Sequence, residues 1–302
     1  MNEYHFQRKK FFDEAISGTG FRSQAPLTAS FGIPSHLFLK LQIQVQEYLK
    51  ASCGANEFHE DDLQKALTEL PAKAKNISTS GIVIPKSYCD HKFTEVHQTI
   101  AEILEQSQIA HAVEFWIYPF NIRLKGIDQG AGSRAYPTEL PHSETWVGCS
   151  LRSVLLHIPI LGDLSNNLLK VWMPGAKFES AWLKPLSSYH EAQDLIQDST
   201  ELDVNNIAGN MLMVDSSLLH GTHRAESAGS RVSIDLNVVL KTYDQNIYKD
   251  DLNLLVERQK LSNEQFFEIG KSLRVSSPDG EDDIFNPPDG MRHPANIKLV
   301  KI

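Results

Sequence analysis

The chain has 302 residues, which is enough for one large domain or two small ones and ample for a buried core. Hydrophobic residues make up 41% of it and charged residues 22%, with 17 glycines and 14 prolines, which excludes a disordered, collagenous or low-complexity chain. The net charge of −9, without a local basic patch in the sequence, disfavours a nucleic acid or an anionic membrane as partner.

The cysteines and the apolar stretches indicate the compartment. Cys53, Cys89 and Cys149 are odd in number and lack CxxC spacing, which argues against a disulfide framework or a thiolate zinc cluster. Residues 1–10 are polar, and the longest apolar stretch, residues 154–161, is interrupted by a histidine. The sequence therefore predicts a cytoplasmic protein without a membrane segment.

The first third of the chain has the periodicity of helices. From about residue 30 to residue 110, apolar residues recur at three- and four-residue spacing, as at Leu63, Leu67 and Leu70. Between the predicted helices, residues 81–85 are strand-like.

From about residue 112 to residue 242 the pattern changes to short β-rich runs separated by Gly, Pro, Asn and Asp. These runs are residues 113–117, 154–160, 168–172, 211–214 and 232–240. This spacing is typical of a jelly roll or barrel. A polar, helical-looking stretch at residues 187–198 is expected to lie as an insertion over one mouth of the barrel.

Residues 243–302 are predicted to be helical at first and irregular in the last part, residues 276–302, which is rich in Pro, Gly and Asp. Ser262 and Gln265 have the spacing of a capping box that begins a helix. Because no sharp break in composition marks a linker, we expect one domain, residues 1–302, that is mainly β with flanking helices.

Three residues of the β-rich part have the types and the spacing of a metal site. His142 and Glu144 are two residues apart, so in a strand both side chains point the same way, and His220 follows on a distant strand. Two imidazoles and one carboxylate on one face of an octahedron leave three open positions, an arrangement suited to Fe(II). Arg231 and Ser233 then form a guanidinium and hydroxyl pair on one strand face, which can bind a carboxylate.

This pattern, over roughly residues 115–240, resembles the Fe(II)/2-oxoglutarate-dependent dioxygenase superfamily, nearest to its phytanoyl-hydroxylase-like branch and more weakly to oxygenases of carbohydrate biosynthesis. The resemblance implies a double-stranded β-helix, the cupin-like jelly roll. It implies Fe(II) on His142, Glu144 and His220, with Arg231 and Ser233 on the far carboxylate of 2-oxoglutarate. Dioxygen would be the second cosubstrate.

The same resemblance implies the reaction, which is hydroxylation of an aliphatic C–H bond coupled to conversion of 2-oxoglutarate to succinate and carbon dioxide. Glu144 stands where Asp is usual, although members resembling clavaminate synthase also use Glu. A carboxylate at this position disfavours a halogenase. Desaturation, epimerisation and ring formation remain open.

A second His-x-acid pair shows that the spacing alone is weak. With 12 histidines and 38 acids in the chain, such pairs arise by chance, and His59 with Asp61 is one of them. It begins a helical-looking segment, where residues two apart face different ways, so we predict a solvated helix start there.

The last predicted strand alternates a polar and an apolar face. Arg231, Ser233, Asp235 and Asn237 share the polar face, which either meets solvent or lines a ligand pocket. Asp235 and Asn237 are therefore candidates for substrate contact.

Other candidates surround this set. Trp146 would share the face of His142 and wall the substrate pocket, with core packing as the equal alternative. Asn121 and Arg123 could reach the cosubstrate or the substrate, although an exposed ion pair is as good an explanation for Arg123. His157 lies in a very apolar run and is predicted to be a hydrogen-bonded core histidine.

The polar candidates favour a small hydrophilic metabolite as substrate, with a sugar or sugar-containing natural-product intermediate first and an amino acid second. A non-catalytic cupin-like protein that binds a metal or a sugar is the alternative from another class. A zinc hydrolase could use the same three ligands but gives no reason for Arg231 and Ser233. The sequence does not indicate the oligomeric state.

Overall fold

The structure is a computed structural model, and it describes residues 3–53, 58, 62–86, 88–126, 134–241, 259–276 and 298–302. The helices are α1 (Glu3–Ile16), α2 (Ser35–Cys53), α3 (Leu63–Lys73), α4 (Asp90–Ser107) and α5 (Asn263–Glu268). The strands are β1 (Arg22–Ser23), β2 (Thr28–Gly32), β3 (Ile82–Val83), β4 (Val113–Tyr118), β5 (Asn121–Lys125), β6 (Ser153–Gly162), β7 (Asn167–Met173), β8 (Thr200–Glu201), β9 (Asn210–Asp215), β10 (Leu219–Arg224), β11 (Arg231–Leu240), β12 (Gln259–Leu261), β13 (Leu273–Ser276) and β14 (Lys298–Lys301).

The strands form a large and a small antiparallel sheet. The large sheet has the order β1-β2-β9-β6-β11, and β11 pairs on its other edge with β5 along its first half and with β4 along its second. The small sheet has the order β10-β7-β8, and a backbone bridge between His142 and His220 adds the segment at residue 142 to its β10 edge.

The strand orders identify the fold as a double-stranded β-helix. Eight segments follow one another along the chain: β5, the bridge segment at His142, β6, β7, β8, β9, β10 and β11. Of these, β5, β11, β6 and β9 are neighbours in the large sheet, whereas the bridge segment, β10, β7 and β8 are neighbours in the small one. This interleaving is the jelly-roll topology, which confirms the predicted fold class.

Burial explains why the central strands are so apolar. In β6 every residue but the last is buried, because one face meets the interior between the sheets and the other meets the helices. Helices α2 and α3 contact β6, and α2 presents the buried residues Leu37, Leu41 and Val45 at helical spacing. The helices therefore cover the outer face of the large sheet and leave its inner face for the site.

The predicted β-rich runs all form strands, and the capping box of Ser262 and Gln265 is present at the start of α5. One helix was not predicted, and one expectation was wrong. Helix α1 occupies a region where no helix was predicted, since its buried face includes the polar residues His5 and Arg8. Strand β14 lies in the segment predicted to be irregular, because it finds a distant partner in β13. Residues 243–258 lie outside the described residues.

Within the described ranges, no helix combines the length and the apolar character needed to cross a bilayer.

Candidate metal centre

Two histidines are placed side by side by a backbone bridge at the edge of the small sheet. The His142 amide donates to the His220 carbonyl at 2.9 Å, and the His220 amide donates to the His142 carbonyl at 2.8 Å. Residues that exchange both hydrogen bonds in an antiparallel pair lie directly opposite each other. The imidazole rings therefore lie on the same side of the sheet, with their centroids 4.5 Å apart.

Glu144 reaches the same point by a different route from the one predicted. Instead of continuing a strand, residues Glu144–Val147 form a 3₁₀ helix, with Ser143 as N-cap accepting a hydrogen bond from the Thr145 amide. The Ser143 hydroxyl also donates to the carbonyl of Ser216, in the turn between β9 and β10, at 2.6 Å. Glu144 is thus held by a capped turn, and not by strand alternation.

The three side chains converge with the separations that one metal ion requires. A Glu144 Oε1 atom lies 3.1 Å from His220 Nε2, and the ligand atoms of His142, Glu144 and His220 all lie within 4.8 Å of one another. Two ligands at about 2.1 Å from a metal and at right angles to each other are about 3 Å apart. The donor set and its spacing therefore fit an octahedral divalent ion such as Fe(II).

The protonation of His142 suits a metal ligand. Its Nδ1 lies 2.7 Å from the carbonyl of Leu140, an acceptor, so Nδ1 carries the hydrogen and Nε2 has the lone pair. Burial, and then the neighbouring His220, lowers the pKa of His142 to about 3. The ring is therefore neutral at physiological pH, which is the form that binds metals.

The Glu144 carboxylate is itself held by hydrogen bonds. Asn237 Nδ2 donates to Glu144 Oε2 at 3.1 Å, and the Cys149 thiol donates to the same oxygen at 3.4 Å. Asn237, predicted to contact substrate, lines the cavity beside this carboxylate, and its amide holds a predicted metal ligand. Partners of this kind orient metal ligands and raise metal affinity.

Trp146 was wrongly predicted to wall the site. In a 3₁₀ helix of about three residues per turn, residues two apart point in different directions, so Trp146 turns away from Glu144. It is fully buried in a separate apolar cluster with Phe178 and Leu219, and its Nε1 donates to the carbonyl of Trp182 at 3.0 Å.

The aromatic residue at the metal centre is Tyr189. Its ring stacks on His142 with centroids 4.2 Å apart and an interplanar angle of 13°. Tyr189 begins the 3₁₀ helix Tyr189–Leu195, which lies within the segment predicted as a helical insertion over the barrel mouth. Its sequence carries no signal for this role, because the stacking depends on where the insertion folds back.

One cavity of about 180 Å³ joins the metal centre to the polar face of β11. Its walls include the three predicted metal ligands and most of the other predicted site residues, namely Asn121, Arg123, Arg231, Asp235 and Asn237. The polar face of β11 thus lines an interior pocket, while the apolar residues between them lie in the core. Ser233 is fully buried on the polar face, and its hydroxyl has no described hydrogen-bond partner.

Arg231 lies in this cavity without an ion pair to a described carboxylate, although the charge of Asp235 acts on it and raises its pKa against the effect of burial. It is 2% exposed, and its Nη1 donates to the carbonyl of Asn167 at 3.0 Å. Its Nε is buried without a hydrogen-bond partner, and no carboxylate of the described ranges forms an ion pair with it. Burial lowers the pKa of Arg231 to about 10, so the guanidinium remains charged at neutral pH.

Asp235 is bound by two other side chains. Its Oδ2 accepts a hydrogen bond from Arg123 Nε at 2.8 Å, and its Oδ1 lies 2.7 Å from His157 Nδ1. Although burial raises the pKa of Asp235, the hydrogen bond from His157 and the charge of Arg123 lower it well below its usual range. The ion pair that could have explained Arg123 as a surface residue is thus largely buried and lines the cavity.

His157 is a buried, hydrogen-bonded histidine as predicted, but it also lines the cavity, and its ring is not fully satisfied by the described residues. It is 1% exposed, lines the cavity, and keeps its Nε2 without a hydrogen-bond partner among the described residues. The apolar residues around His157 in the sequence gave no indication that it lines the cavity. The register of β6 against β11, which places His157 opposite Asp235, is what reveals its role.

Of the other polar residues, His223 and Asp215 lie close to His220 in sequence but do not join the metal centre. His223 is exposed on β10 and does not join the metal-binding group. Asp215, another acid near His220 in sequence, pairs with Arg8 at 2.8 Å. The alternative pair of His59 and Asp61 lies outside the described residues.

Comparisons with known proteins give structural likenesses only. No family model matches the chain, and no curated protein matches it in sequence. Among solved structures, it is similar to the non-haem alpha-ketoglutarate-dependent carbocyclase SnoK from nogalamycin biosynthesis, with 12% identity, coverage of 99% of this chain and 96% of that chain, and a TM-score of 0.42. An N-substituted L-amino acid dioxygenase from Burkholderia ambifaria AMMD has 12% identity, coverage of 71% and 83%, and a TM-score of 0.39. A prolyl hydroxylase from Trichoplax adhaerens has 10% identity, coverage of 79% and 94%, and a TM-score of 0.38.

Proposed function

We propose that this chain is a non-haem Fe(II)/2-oxoglutarate-dependent oxygenase that hydroxylates an aliphatic C–H bond of a small polar metabolite. One observation carries the proposal. The three convergent ligands His142, Glu144 and His220 share a cavity with Arg231, a buried guanidinium that has no carboxylate partner in the described part of the chain. A metal site alone does not require such a cation.

His142, Glu144 and His220 would hold the Fe(II) ion on one face. Three protein ligands on one face of an octahedron leave the opposite face for small molecules. Asn237 would keep the Glu144 carboxylate in place, and the Leu140 carbonyl would keep His142 in the tautomer that binds through Nε2.

Arg231 and Ser233 would hold the far carboxylate of 2-oxoglutarate. A guanidinium can donate two parallel charge-assisted hydrogen bonds to a carboxylate, and buried donors without partners destabilise a protein unless a ligand satisfies them. Arg231 Nε and the Ser233 hydroxyl are such groups. Arg123 is less suited because Asp235 already occupies it.

Bound Fe(II) and 2-oxoglutarate would supply the activation of dioxygen that oxidises the substrate, with succinate and carbon dioxide as the other products. The residues of the chain would position the metal ion and the reacting molecules and would enclose them. Tyr189 covers one face of His142, and the buried positions of His142 and His220 limit access of water.

The polar lining favours a hydrophilic substrate. Asn121 and Asp235 line the cavity, and the same polar lining suits a sugar or sugar-containing metabolite better than an acyl chain. An amino acid is the second candidate.

We also propose a cytoplasmic location and a single domain over residues 1–302.

An anaerobic titration tests the proposal. The protein is mixed with Fe(II) and then 2-oxoglutarate, and the visible charge-transfer band of the chelate is recorded. We expect the band in the native protein and its loss in His142→Ala and His220→Ala, whereas His223→Ala, which changes an exposed histidine on the same strand as His220, should keep it.

Absence of the band in the native protein, or its persistence in both ligand variants, would refute the assignment. Succinate formation under air then separates an oxygenase from a cupin-like binding protein, which would bind the metal without consuming 2-oxoglutarate.

A further inference from the structure

His157, Asp235 and Arg123 form a chain of hydrogen bonds along one wall of the cavity. Arg123 donates to one carboxylate oxygen of Asp235 at 2.8 Å, and His157 Nδ1 lies 2.7 Å from the other. All three residues line the cavity, and they come from three adjacent strands, β5, β11 and β6.

The hydrogen bonds determine the tautomer of His157. A carboxylate only accepts hydrogen bonds, so the hydrogen must lie on His157 Nδ1. Arg123 already balances the charge of Asp235. Burial lowers the pKa of His157, although the hydrogen bond and the charge of Asp235 act in the opposite direction. In the neutral ring with a hydrogen on Nδ1, Nε2 carries a lone pair and can only accept.

This acceptor has no partner. His157 Nε2 is buried and receives no hydrogen bond from any described residue. A buried polar atom left unsatisfied destabilises a protein, so a donor is expected to meet it when the cavity is filled.

The cosubstrate cannot supply that donor. At neutral pH 2-oxoglutarate carries two carboxylates and a keto oxygen, all of which only accept hydrogen bonds. Apart from water and the residues outside the described ranges, the remaining source of a donor is the other molecule in the cavity.

We propose that Nε2 of His157 accepts a hydrogen bond from a hydroxyl or amino group of the substrate, so that the cavity selects molecules carrying such a donor. This inference rests on the proposed function, which supplies the second molecule, and it narrows the substrate class to polyols, sugars and amines. Asp235 and Arg123 are positioning residues that set the polarity of this acceptor.

The variant Asp235→Asn inverts the polarity. Arg123 has only donors, so it takes the amide oxygen of the new side chain and leaves the amide NH₂ facing His157. His157 Nδ1 must then accept, which moves the ring hydrogen to Nε2. The wall would then present a donor in place of an acceptor.

Nitrogen-15 NMR of histidine-labelled protein, loaded with diamagnetic Zn(II) and 2-oxoglutarate, reads the tautomer directly. His157→Gln assigns the signals, and the exposed His223 serves as an internal control. We expect an unprotonated Nε2 at His157 in the native protein and a protonated one in Asp235→Asn. A protonated Nε2 in the native protein would overturn the inference.

Three small probes then test the selectivity: ethylammonium, which only donates, 1,2-dimethoxyethane, which only accepts, and ethanol, which does both. In the native protein, ethylammonium and ethanol should shift the His157 Nε2 signal, and dimethoxyethane should not. In Asp235→Asn, dimethoxyethane and ethanol should shift it, and ethylammonium should not. An equal response to all three probes in the native protein would also overturn the inference.

The Fe(II) and 2-oxoglutarate titration of the same protein separates the two proposals. If the chelate band is absent but the tautomer and probe responses are as expected, the oxygenase assignment fails and the donor-selective wall stands. If the band is present and the tautomer is reversed, the oxygenase assignment stands and the selectivity inference fails.

Discussion

Replacing Arg231 by methionine distinguishes a cosubstrate anchor from a residue that stabilises the fold. Methionine keeps a flexible apolar side chain and removes the guanidinium. In the structure, that guanidinium donates one hydrogen bond, to the carbonyl of Asn167 at 3.0 Å, and has no ion pair with a carboxylate in the part of the chain that is described. The ligand-free fold therefore loses few contacts.

The free energy of unfolding should even rise in the absence of ligand. Burial lowers the pKa of Arg231 from 12.5 to about 10. A pKa difference of this size corresponds to roughly 3 kcal/mol by which the folded, ligand-free protein disfavours the charged form. Because the folded-state pKa of this cation lies below its unfolded value, the cost is fully present at neutral pH. Arg231→Met removes it, so the melting temperature of the ligand-free protein should stay equal or increase.

The affinity for 2-oxoglutarate should change in the opposite direction. Each charge-assisted hydrogen bond to a carboxylate contributes roughly 1.5–3 kcal/mol. Losing the two bonds from Arg231 should raise the apparent dissociation constant at least about tenfold, while Fe(II) binding persists. Arg231→Lys should recover only part of the loss, because an ammonium lacks the planar fork. Anaerobic titration and thermal unfolding measure the two quantities.

Arg152→Met is the matched control. Arg152 is also buried, but it forms an ion pair with Glu114 and lies outside the cavity lining. Its replacement should lower the melting temperature and leave 2-oxoglutarate affinity unchanged. If Arg231→Met behaves in the same way, Arg231 serves the fold and Arg123 becomes the next candidate for the carboxylate.

Two further changes test the structure around the metal centre, and a third tests a buried ion pair apart from it. Glu144→Ala should weaken Fe(II) binding by more than the roughly 10–100-fold typical of losing a supporting residue. The same variant, loaded with Co(II), should bind azide at the metal. Unchanged Fe(II) affinity in a competition titration would mean that another group supplies the ligand. Asn237→Ala should weaken metal binding roughly 10–100-fold, because its amide holds Glu144, and equal affinity would contradict that role. Arg8→Met should lower the free energy of unfolding, measured in urea, by about 3–5 kcal/mol, because it removes the ion-pair partner of the fully buried Asp215. A double variant that also carries Asp215→Leu should recover most of this loss. No recovery would count against the ion pair as the cause.

Residue types, their periodicity and the family resemblance together predicted the fold class and singled out three residues that the structure brings together. The β-rich runs became strands because their apolar residues are buried whichever sheet they join. His142, Glu144 and His220 converge as expected from their chemistry and spacing, and the alternation along β11 predicted a polar face. Each of these features depends on residues that are close in sequence or on a pattern that repeats along the chain.

Other features depended on partners that are distant in sequence. Trp146 turned away because Ser143 caps a 3₁₀ helix, whereas the spacing alone suggested a strand. Helix α1 was missed because the ion-pair partner of its buried Arg8 is Asp215, more than two hundred residues later. His157 looked like a core residue because its neighbours are apolar, until pairing of β6 with β11 placed it opposite Asp235.

The amino-acid sequence by itself thus determined which groups this protein could bring to a metal and a carboxylate, because the residue type sets which donor and acceptor atoms a side chain carries. Only the tertiary structure decided which of those groups are partnered and which are left with an unsatisfied hydrogen bond. Arg231 and His157 are both buried and incompletely satisfied, whereas Arg123 and Asp235 satisfy each other. Hydrogen-bond partners are selected by strand register and burial, and both depend on contacts between residues that are far apart in the chain.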